Sequence, residues 1–154
     1  MLARKRLASG FTLVEILIVV VILGILAAIV VPQFTNASQT AKASSLLSQL
    51  QTIRSQLELY QVQHNAVYPD LNTWGWSQLT ETTDIDGNTS GSDFGPYLQK
   101  APVNSFTNGK HVAADINGDW KYDVSNGAIQ AMLPPAIHAQ IDELGIPGGD
   151  VVSK

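Results

Sequence analysis

Glu15 is the one charged residue in an apolar stretch that runs from Phe11 to Val31. A carboxylate in the centre of a membrane costs about 2.5–3.5 kcal/mol, and one near the interface costs less. Near the start of a helix, the positive end of the helix dipole offsets part of that cost. The simple interpretation is a side chain that reaches toward the lipid headgroups, and the alternative is a role that requires the charge.

Two short segments place oxygen-bearing side chains at alternate positions, as a calcium site would need. They comprise Asp84, Asp86 and Asn88, and Asp115, Asn117 and Asp119. Neither is an EF-hand loop, because the glycine stands at the fourth position and no glutamate stands at the twelfth. Turns closed by Asp and Asn side chains explain both segments equally well. Calcium at Asp115, Asn117 and Asp119 is therefore one of two expectations, and no other cofactor is predicted.

The other reactive residue types form no catalytic pattern. The histidines, His64, His111 and His138, stand in separate elements without ligand spacing, which predicts surface or half-buried positions. The chain has no cysteine, so disulfides, thiolate metal sites and a cysteine nucleophile are excluded. Phosphate-binding, dinucleotide-binding and nucleophile-elbow motifs are also missing. The sequence predicts a protein that is not an enzyme.

The stretch from Phe11 to Val31 predicts a membrane-spanning helix. Its helical length is roughly 32 Å, against about 30 Å for the hydrocarbon core of a bilayer. A secretory signal peptide has a shorter apolar region, and its small-residue cut site follows that region. Here the small pair Ser9-Gly10 comes before the apolar residues.

Charge is distributed unevenly along the chain. Arg4, Lys5 and Arg6 form a basic cluster before the apolar stretch, and such clusters stay in the cytoplasm, which predicts an outer location for the rest. From Thr35 onward, six Lys and Arg residues face twelve Asp and Glu residues, a net charge of −6. An acidic domain is a poor partner for nucleic acid, so none is expected.

The string Gly10-Phe11-Thr12-Leu13-Val14-Glu15 resembles the cleavage signal of type IV pilins and type II secretion pseudopilins. The match extends through Gly24 and Pro32, which family members commonly share. The resemblance implies that a membrane-embedded aspartyl peptidase cuts between Gly10 and Phe11 and methylates the new amine of Phe11. It also implies that Glu15 pairs with the Phe11 amine of a neighbouring subunit.

The same resemblance implies a set of partners and a location. The partners are the prepilin peptidase/methyltransferase, copies of the chain and other pseudopilins in a filament, and an inner-membrane assembly platform. The chain would cross the inner membrane once, with the filament in the periplasm or at the cell surface. Gly24 and Pro32 both weaken a helix, so the stretch between them is a candidate for extension during assembly.

Within this family the chain looks closest to the major pseudopilin of type II secretion. Gly95-Pro96-Tyr97-Leu98 and the proline at 102 resemble its GxYLxxxP region, but Asn104-Ser105-Phe106 stands where that family usually has Asp-Pro-Trp. That family also binds calcium in an Asp-rich loop near its C-terminus, which does not align here. The alternatives are a type IV pilin in adhesion, motility or DNA uptake, and a membrane-anchored monomeric binding module.

Apolar residues continue after Pro32 at spacings of three and four, which predicts that the helix extends amphipathically to His64. The stripe comprises Ala43, Leu46, Leu50, Ile53, Leu57 and Tyr60. The predicted organisation is a cleaved leader (1–10), a transmembrane assembly helix (11–34) and an outer head (35–154). The predicted fold class is α+β, a lollipop in which a long helix packs on a small antiparallel sheet.

Three strands are predicted in the second half of the head, namely Lys110–Asp115, Trp120–Val124 and Ala128–Leu133. Asn117-Gly118 and Asn126-Gly127 separate them and are typical of hairpin turns. Residues 68–108 are predicted to be loop, with Trp74 and Trp76 packed into the head. A short helix around Ile137, Ile141 and Leu144 and then a loose tail are expected after the last strand.

Overall fold

The computed structural model describes residues 10–154, so the basic leader predicted from Arg4, Lys5 and Arg6 lies outside the described residues. The chain forms two compact units, the first ending at Ser38 and the second comprising Gln39–Lys154. Helix α1 contributes to both units, and each is described by itself.

Helix α1 runs from Leu13 to Gln63 without interruption, as the sequence predicts. It includes Pro32, which cannot donate a backbone hydrogen bond. The Thr35 hydroxyl donates to the Val31 carbonyl at 3.1 Å, four residues before it in the same helix. Among the described residues, α1 is long and apolar enough to cross a membrane, and none of its apolar window is buried within the chain.

The second half of α1 supplies the core of the head. Ala43, Leu46, Leu50, Ile53, Leu57 and Tyr60 are each no more than 2% exposed. They pack with side chains from the sheet and from the short helices. The predicted amphipathic stripe is therefore confirmed residue by residue, because a spacing of three and four places all six side chains on one face.

Two single-turn helices lie where the sequence predicted only loop, α2 (Leu71–Trp74) and α3 (Ser77–Thr80). The Asp70 side chain caps α2 by accepting from the Thr73 amide at 3.1 Å. Trp76 is buried, and its indole nitrogen donates to the Lys110 carbonyl at 2.6 Å. Trp74 is 62% exposed, so head packing was a correct prediction for one tryptophan and wrong for the other.

Four strands form one mixed sheet in the order β1-β2-β3-β4. They are β1 (Val112–Ala113), β2 (Trp120–Asp123), β3 (Ala128–Leu133) and β4 (Val151–Ser153). Strands β2 and β3 are antiparallel, with Trp120 opposite Ala131, and Gly127 takes a positive φ of 69° in the turn between them. The α+β class and this hairpin are confirmed.

The first predicted hairpin is wrong, because β1 and β2 are parallel. Strands β3 and β4 are parallel as well. The sheet is therefore mixed, whereas a purely antiparallel one was predicted. Asn117-Gly118 does mark a turn, but the chain curls back far enough for the amides of Asp119 and Trp120 both to donate to the His111 carbonyl, at 2.7 and 3.1 Å. A local turn signal does not determine strand direction.

The C-terminal segment is not the loose tail that the sequence predicted. After α4 (Pro135–His138), a single turn where a longer helix was expected, the chain ends in β4. Arg54 of α1 binds the Asp150 carboxylate at 2.8 Å and donates to the Ile129 carbonyl at 2.9 Å. These contacts tie the end of the chain to α1 and to β3.

Candidate functional site

Gly10 and Phe11 precede α1 in an exposed, irregular segment, and Thr12 is the last residue before the helix. Phe11 is 83% exposed. A Cβ atom added to Gly10 would meet no other atom within 4 Å. Nothing in the fold of a single chain therefore requires glycine at position 10, and the backbone there is accessible.

Thr12 and Glu15 form a reciprocal cap at the start of α1. The Glu15 carboxylate oxygen Oε2 accepts from the Thr12 amide and from its hydroxyl, both at 2.8 Å. The Thr12 hydroxyl oxygen in turn accepts from the Glu15 amide at 3.2 Å. This is a capping box, which satisfies backbone donors that a helix start leaves free. It holds the Glu15 carboxylate one turn from the Phe11 backbone.

Thr12 is a residue that the sequence reasoning missed. The signal was present, because a threonine followed three residues later by a glutamate, ahead of an apolar run, is the sequence pattern of a capping box. Gly24 and Pro32, in contrast, lie within the unbroken helix, and a Cβ added to Gly24 would meet nothing within 4 Å. No contact in the described chain explains the glycine at position 24.

The three calcium candidates have other partners. Asp115 accepts from the Asn117 amide at 2.9 Å and from its side chain at 2.7 Å, and these hydrogen bonds lower the pKa of the Asp115 carboxyl. Asp119 instead accepts from the His111 amide at 3.0 Å and lies 3.8 Å from the Lys154 amine. Residues 10–154 contain no group of three or more His, Cys, Asp or Glu side chains that could hold a metal.

The second Asp-rich segment is also closed by its own hydrogen bonds. Asp84 accepts from the backbone amides of Asp86 and Asn88, at 3.0 and 2.9 Å, and from the Asn88 side chain. Both segments are therefore turns of the Asx type. The Asp84 and Asp115 carboxylates thus accept hydrogen bonds within their own turns, and no step of the proposed function depends on calcium.

His64 is buried, contrary to the surface or half-buried position predicted for it. Its Nδ1 lies 2.9 Å from the Tyr60 carbonyl and its Nε2 2.9 Å from the Thr83 hydroxyl. A carbonyl only accepts, so Nδ1 donates to the Tyr60 carbonyl, and in a neutral ring Nε2 accepts from the Thr83 hydroxyl. The ring also stacks on Tyr60 with centroids 3.7 Å apart. These contacts give His64 a structural role at the end of α1.

Asn104 holds the sheet together at the point where the sequence departs from the pseudopilin pattern. Its side-chain nitrogen donates to the carbonyls of Asp119 and Met132, both at 2.8 Å, and its oxygen accepts from the Phe106 amide at 2.9 Å. The residue is fully buried. Asn104, where the sequence differs from the family pattern, therefore has a structural role: it connects the chain at Asp119, Met132 and Phe106.

The described chain thus has a capped, exposed helix start followed by an apolar segment long enough to span a membrane. The family described as "Prokaryotic N-terminal methylation motif" matches residues 5–31. The type II secretion system core protein G of Pseudomonas aeruginosa is 36% identical over 105 residues, which cover 68% of this chain and 72% of that protein. The chain belongs to the family of type II secretion system core protein G.

A second core protein G agrees with this assignment, and a type IV fimbrial protein also matches part of the chain. The core protein G of Vibrio cholerae is 30% identical over 105 residues, 68% of this chain and 70% of that protein. The type IV major fimbrial protein FimA of Dichelobacter nodosus is 44% identical over 54 residues, 35% of each chain. No solved structure is a significant match.

Proposed function

We propose that the chain is the structural subunit of a type II secretion pseudopilus, made as a membrane-inserted precursor that is cut after Gly10 and methylated at Phe11. The observation that carries this proposal is the 36% identity to a type II secretion core protein over 72% of that protein's length. The exposed backbone at Gly10 and Phe11 supports it, because a peptidase needs an accessible segment. The protein acts as a building block and not as an enzyme.

The partners and the location follow from this proposal. The prepilin peptidase processes the chain, and copies of the chain and other pseudopilins form the filament on an inner-membrane platform. The chain crosses the inner membrane once through the apolar part of α1, with the leader in the cytoplasm and Gln39–Lys154 outside. The filament extends into the periplasm or to the cell surface.

In the filament, Glu15 pairs with the Phe11 amine of a neighbouring subunit. The capping box uses only Oε2 of this carboxylate, and Oε1 makes no hydrogen bond within residues 10–154. The carboxylate can therefore keep its cap and still accept a charged donor from a second chain. A charge-assisted hydrogen bond in an apolar environment is stronger than the same bond in water.

Exposed apolar surface on the first half of α1 supports assembly as well as membrane insertion. Its large side chains from Ile16 to Val30 are 51–59% exposed. In the membrane, lipid covers them, and in a filament the helices of neighbouring subunits cover them. Gly24 lies within this surface, where a Cβ added to it would meet no atom within 4 Å.

A type IV pilin is the second candidate, because the FimA relative is a type IV fimbrial protein. That match covers only 35% of each chain, less than the matches to core protein G. Deletion of the gene in its host separates the two functions. Loss of protein secretion supports the pseudopilus, whereas loss of adhesion, motility or DNA uptake with normal secretion supports the type IV pilin.

Replacing Glu15 by leucine tests the role of this residue in assembly and distinguishes a filament subunit from a monomeric membrane-anchored protein. Glu15→Leu should insert normally, since it removes a charge from an apolar segment, but crosslinked multimers in the membrane fraction should fall more than about tenfold, as expected for one lost charged hydrogen bond. Glu143→Leu, which removes an exposed carboxylate of the head, is the control. Ordered multimers at the wild-type level in Glu15→Leu would favour the monomeric anchored binding module.

Mass spectrometry of the mature chain tests the processing step. The wild type should begin at Phe11 with one added methyl group. Gly10→Val should remain uncut, because the peptidase accepts almost no side chain there, while the variant has room for the new atoms in its own fold. Gly24→Ala is the control and should be processed normally. A wild-type chain that begins at Met1 or after Ala28 would contradict the proposal.

A further inference from the structure

The loop that carries Asn88 contains an acceptor sequence for asparagine-linked glycosylation. Asn88-Thr89-Ser90 fits the pattern Asn-x-Ser/Thr, in which the hydroxyl residue binds the transferase beside the acceptor amide. Asp86 stands two residues before the asparagine, and its exposed carboxylate is accessible to a transferase that binds an acidic side chain at that position. Neither intervening residue, Gly87 or Thr89, is a proline, which would block the pattern.

The structure gives this sequence the context that a glycosylation site requires, an exposed polar loop. The side chains of Asp86, Asn88 and Ser90 are exposed. The Asn88 nitrogen Nδ2 donates to the two Asp84 oxygens at 3.2 and 2.9 Å. These two bonds lie at the surface and must open for Nδ2 to enter an active site, whereas the backbone of Asn88 is held by further hydrogen bonds to Asp84 and Gly91. The glycosylated amide keeps one N–H, so one bond to Asp84 can form again.

Trp74 supplies a second, independent observation at the same place. Trp74 is 62% exposed, whereas the other two tryptophans, Trp76 and Trp120, are buried. Trp74, Asn88, Thr89 and Ser90 line one cleft of about 290 Å³. A sugar on Asn88 would lie in this cleft, and the apolar face of a pyranose ring packs well on an indole.

We propose that Asn88 is an N-glycosylation site and that the first sugar of the glycan covers Trp74. The donor is an oligosaccharide linked to a lipid through pyrophosphate. The bond between the anomeric carbon and the pyrophosphate oxygen breaks, and a bond from that carbon to Nδ2 forms. One amide proton passes to a base of the transferase, and the lipid pyrophosphate leaves. The site rests on the proposed topology, since such donors are used outside the cytoplasm.

The chain contains its own matched control, a second sequence of the same pattern at Asn36-Ala37-Ser38. Phe34, not an acidic residue, stands two positions before Asn36, and the whole pattern lies within α1. A helix holds the acceptor in regular backbone hydrogen bonds close to the apolar segment. Asn36 should therefore remain unmodified in the same molecule in which Asn88 is glycosylated.

The test is peptide mass spectrometry of the full chain purified from membranes of its native host. Trypsin releases Ser55–Lys100, which should be heavier by an oligosaccharide and give sugar fragment ions that map to Asn88. Ser90→Ala should remove the added mass, Ser90→Thr should retain it, and Asp86→Ala should remove it. Ser90→Ala leaves Asn88 and its bonds to Asp84 in place, so loss of the mass does not report misfolding.

Three results would overturn the proposal: an unmodified wild-type peptide, an added mass that survives Ser90→Ala, or sugar on Asn36. The same digest reports separately on the proposed function, because a processed chain gives a peptide that begins at methylated Phe11. An unmodified Asn88 in a chain that begins at Phe11 overturns the glycan alone.

Hydroxyl-radical oxidation tests whether the sugar covers Trp74. In Ser90→Ala, Trp74 should be oxidised more than in the glycosylated wild type, while buried Trp76 should not change. Equal oxidation of Trp74 in the two proteins would overturn its coverage by the first sugar.

Discussion

The two halves of α1 have the same secondary structure but obtain their stability from different sources. From Gln39 to Gln63, one face is buried against the head, with Leu46 and Leu50 at 0% exposure. From Leu13 to Ser38, apolar side chains cover every face, and none of them is buried by the chain itself. The first half therefore depends on lipid or on other subunits, whereas the second depends on its own tertiary structure.

A substitution is therefore expected to have a different effect in each half of α1. In the second half, a large apolar side chain contributes to the free energy of unfolding of the head. In the first half, the same side chain contributes to insertion and to contacts between subunits. A single helix thus carries two functions whose sequence requirements are independent.

Truncation of Leu50 should give the largest effect on the head. Leu50→Ala removes a fully buried side chain and should lower the free energy of unfolding by about 2–5 kcal/mol. Val20→Ala, in the apolar half, should change it by less than about 0.5 kcal/mol. The measurement is denaturant unfolding of the full chain in detergent, followed by tryptophan fluorescence, since all three tryptophans lie after Gln39. Equal losses would contradict the division of α1.

Replacement of Pro32 should affect the first half alone. Pro32→Ala restores a backbone donor and should favour the helix locally by about 3 kcal/mol, so amides between Gly24 and Pro32 should exchange more slowly in micelles. Ala28→Gly is the control with the opposite sign, and exchange should become faster. Unfolding of the head should be unchanged in both variants. Unchanged exchange in Pro32→Ala would argue against a weakened stretch.

Removal of Arg54 should give a smaller loss, confined to the second half and the C-terminal strand. Arg54→Ala breaks the contacts to Asp150 and to the Ile129 carbonyl and should cost about 1–2 kcal/mol. Amides of Val151–Ser153 should exchange faster. Asp150→Ala should have a similar effect, and the double variant should add little to either. Lys100→Ala, at an exposed lysine, is the control, and additive losses would show that the pair does not interact.

Local patterns predicted the parts of the fold that depend on neighbours in the sequence. The stripe from Ala43 to Tyr60 repeats at the helical period, and Asn126-Gly127 ends the four-residue turn between β2 and β3, with Gly127 at a positive φ. The capping box of Thr12 and Glu15 is equally local and could have been found from its spacing. The candidate site at Gly10, Phe11 and Glu15 was visible for the same reason.

Contacts between distant residues decided the rest. The sequence around Val151 does not show that it will pair in parallel with Ala131, and Asn104 shows no sign of the two carbonyls it binds. The burial of His64 depends on Thr83, nineteen positions further along. Such pairings form only where the folded chain brings the groups together, and the periodicity of a single segment carries no information about its partner.

By itself, the sequence predicted a processed, membrane-spanning helix and determined the face on which the second half of α1 packs into the head, because hydrophobic length and period are properties of each segment. Only the tertiary structure decided the mixed sheet, the ordered C-terminal strand and the exposed loop that places Asn88 beside Trp74. Strand direction and side-chain neighbours depend on how the whole chain packs, and long-range packing is not encoded in any one segment.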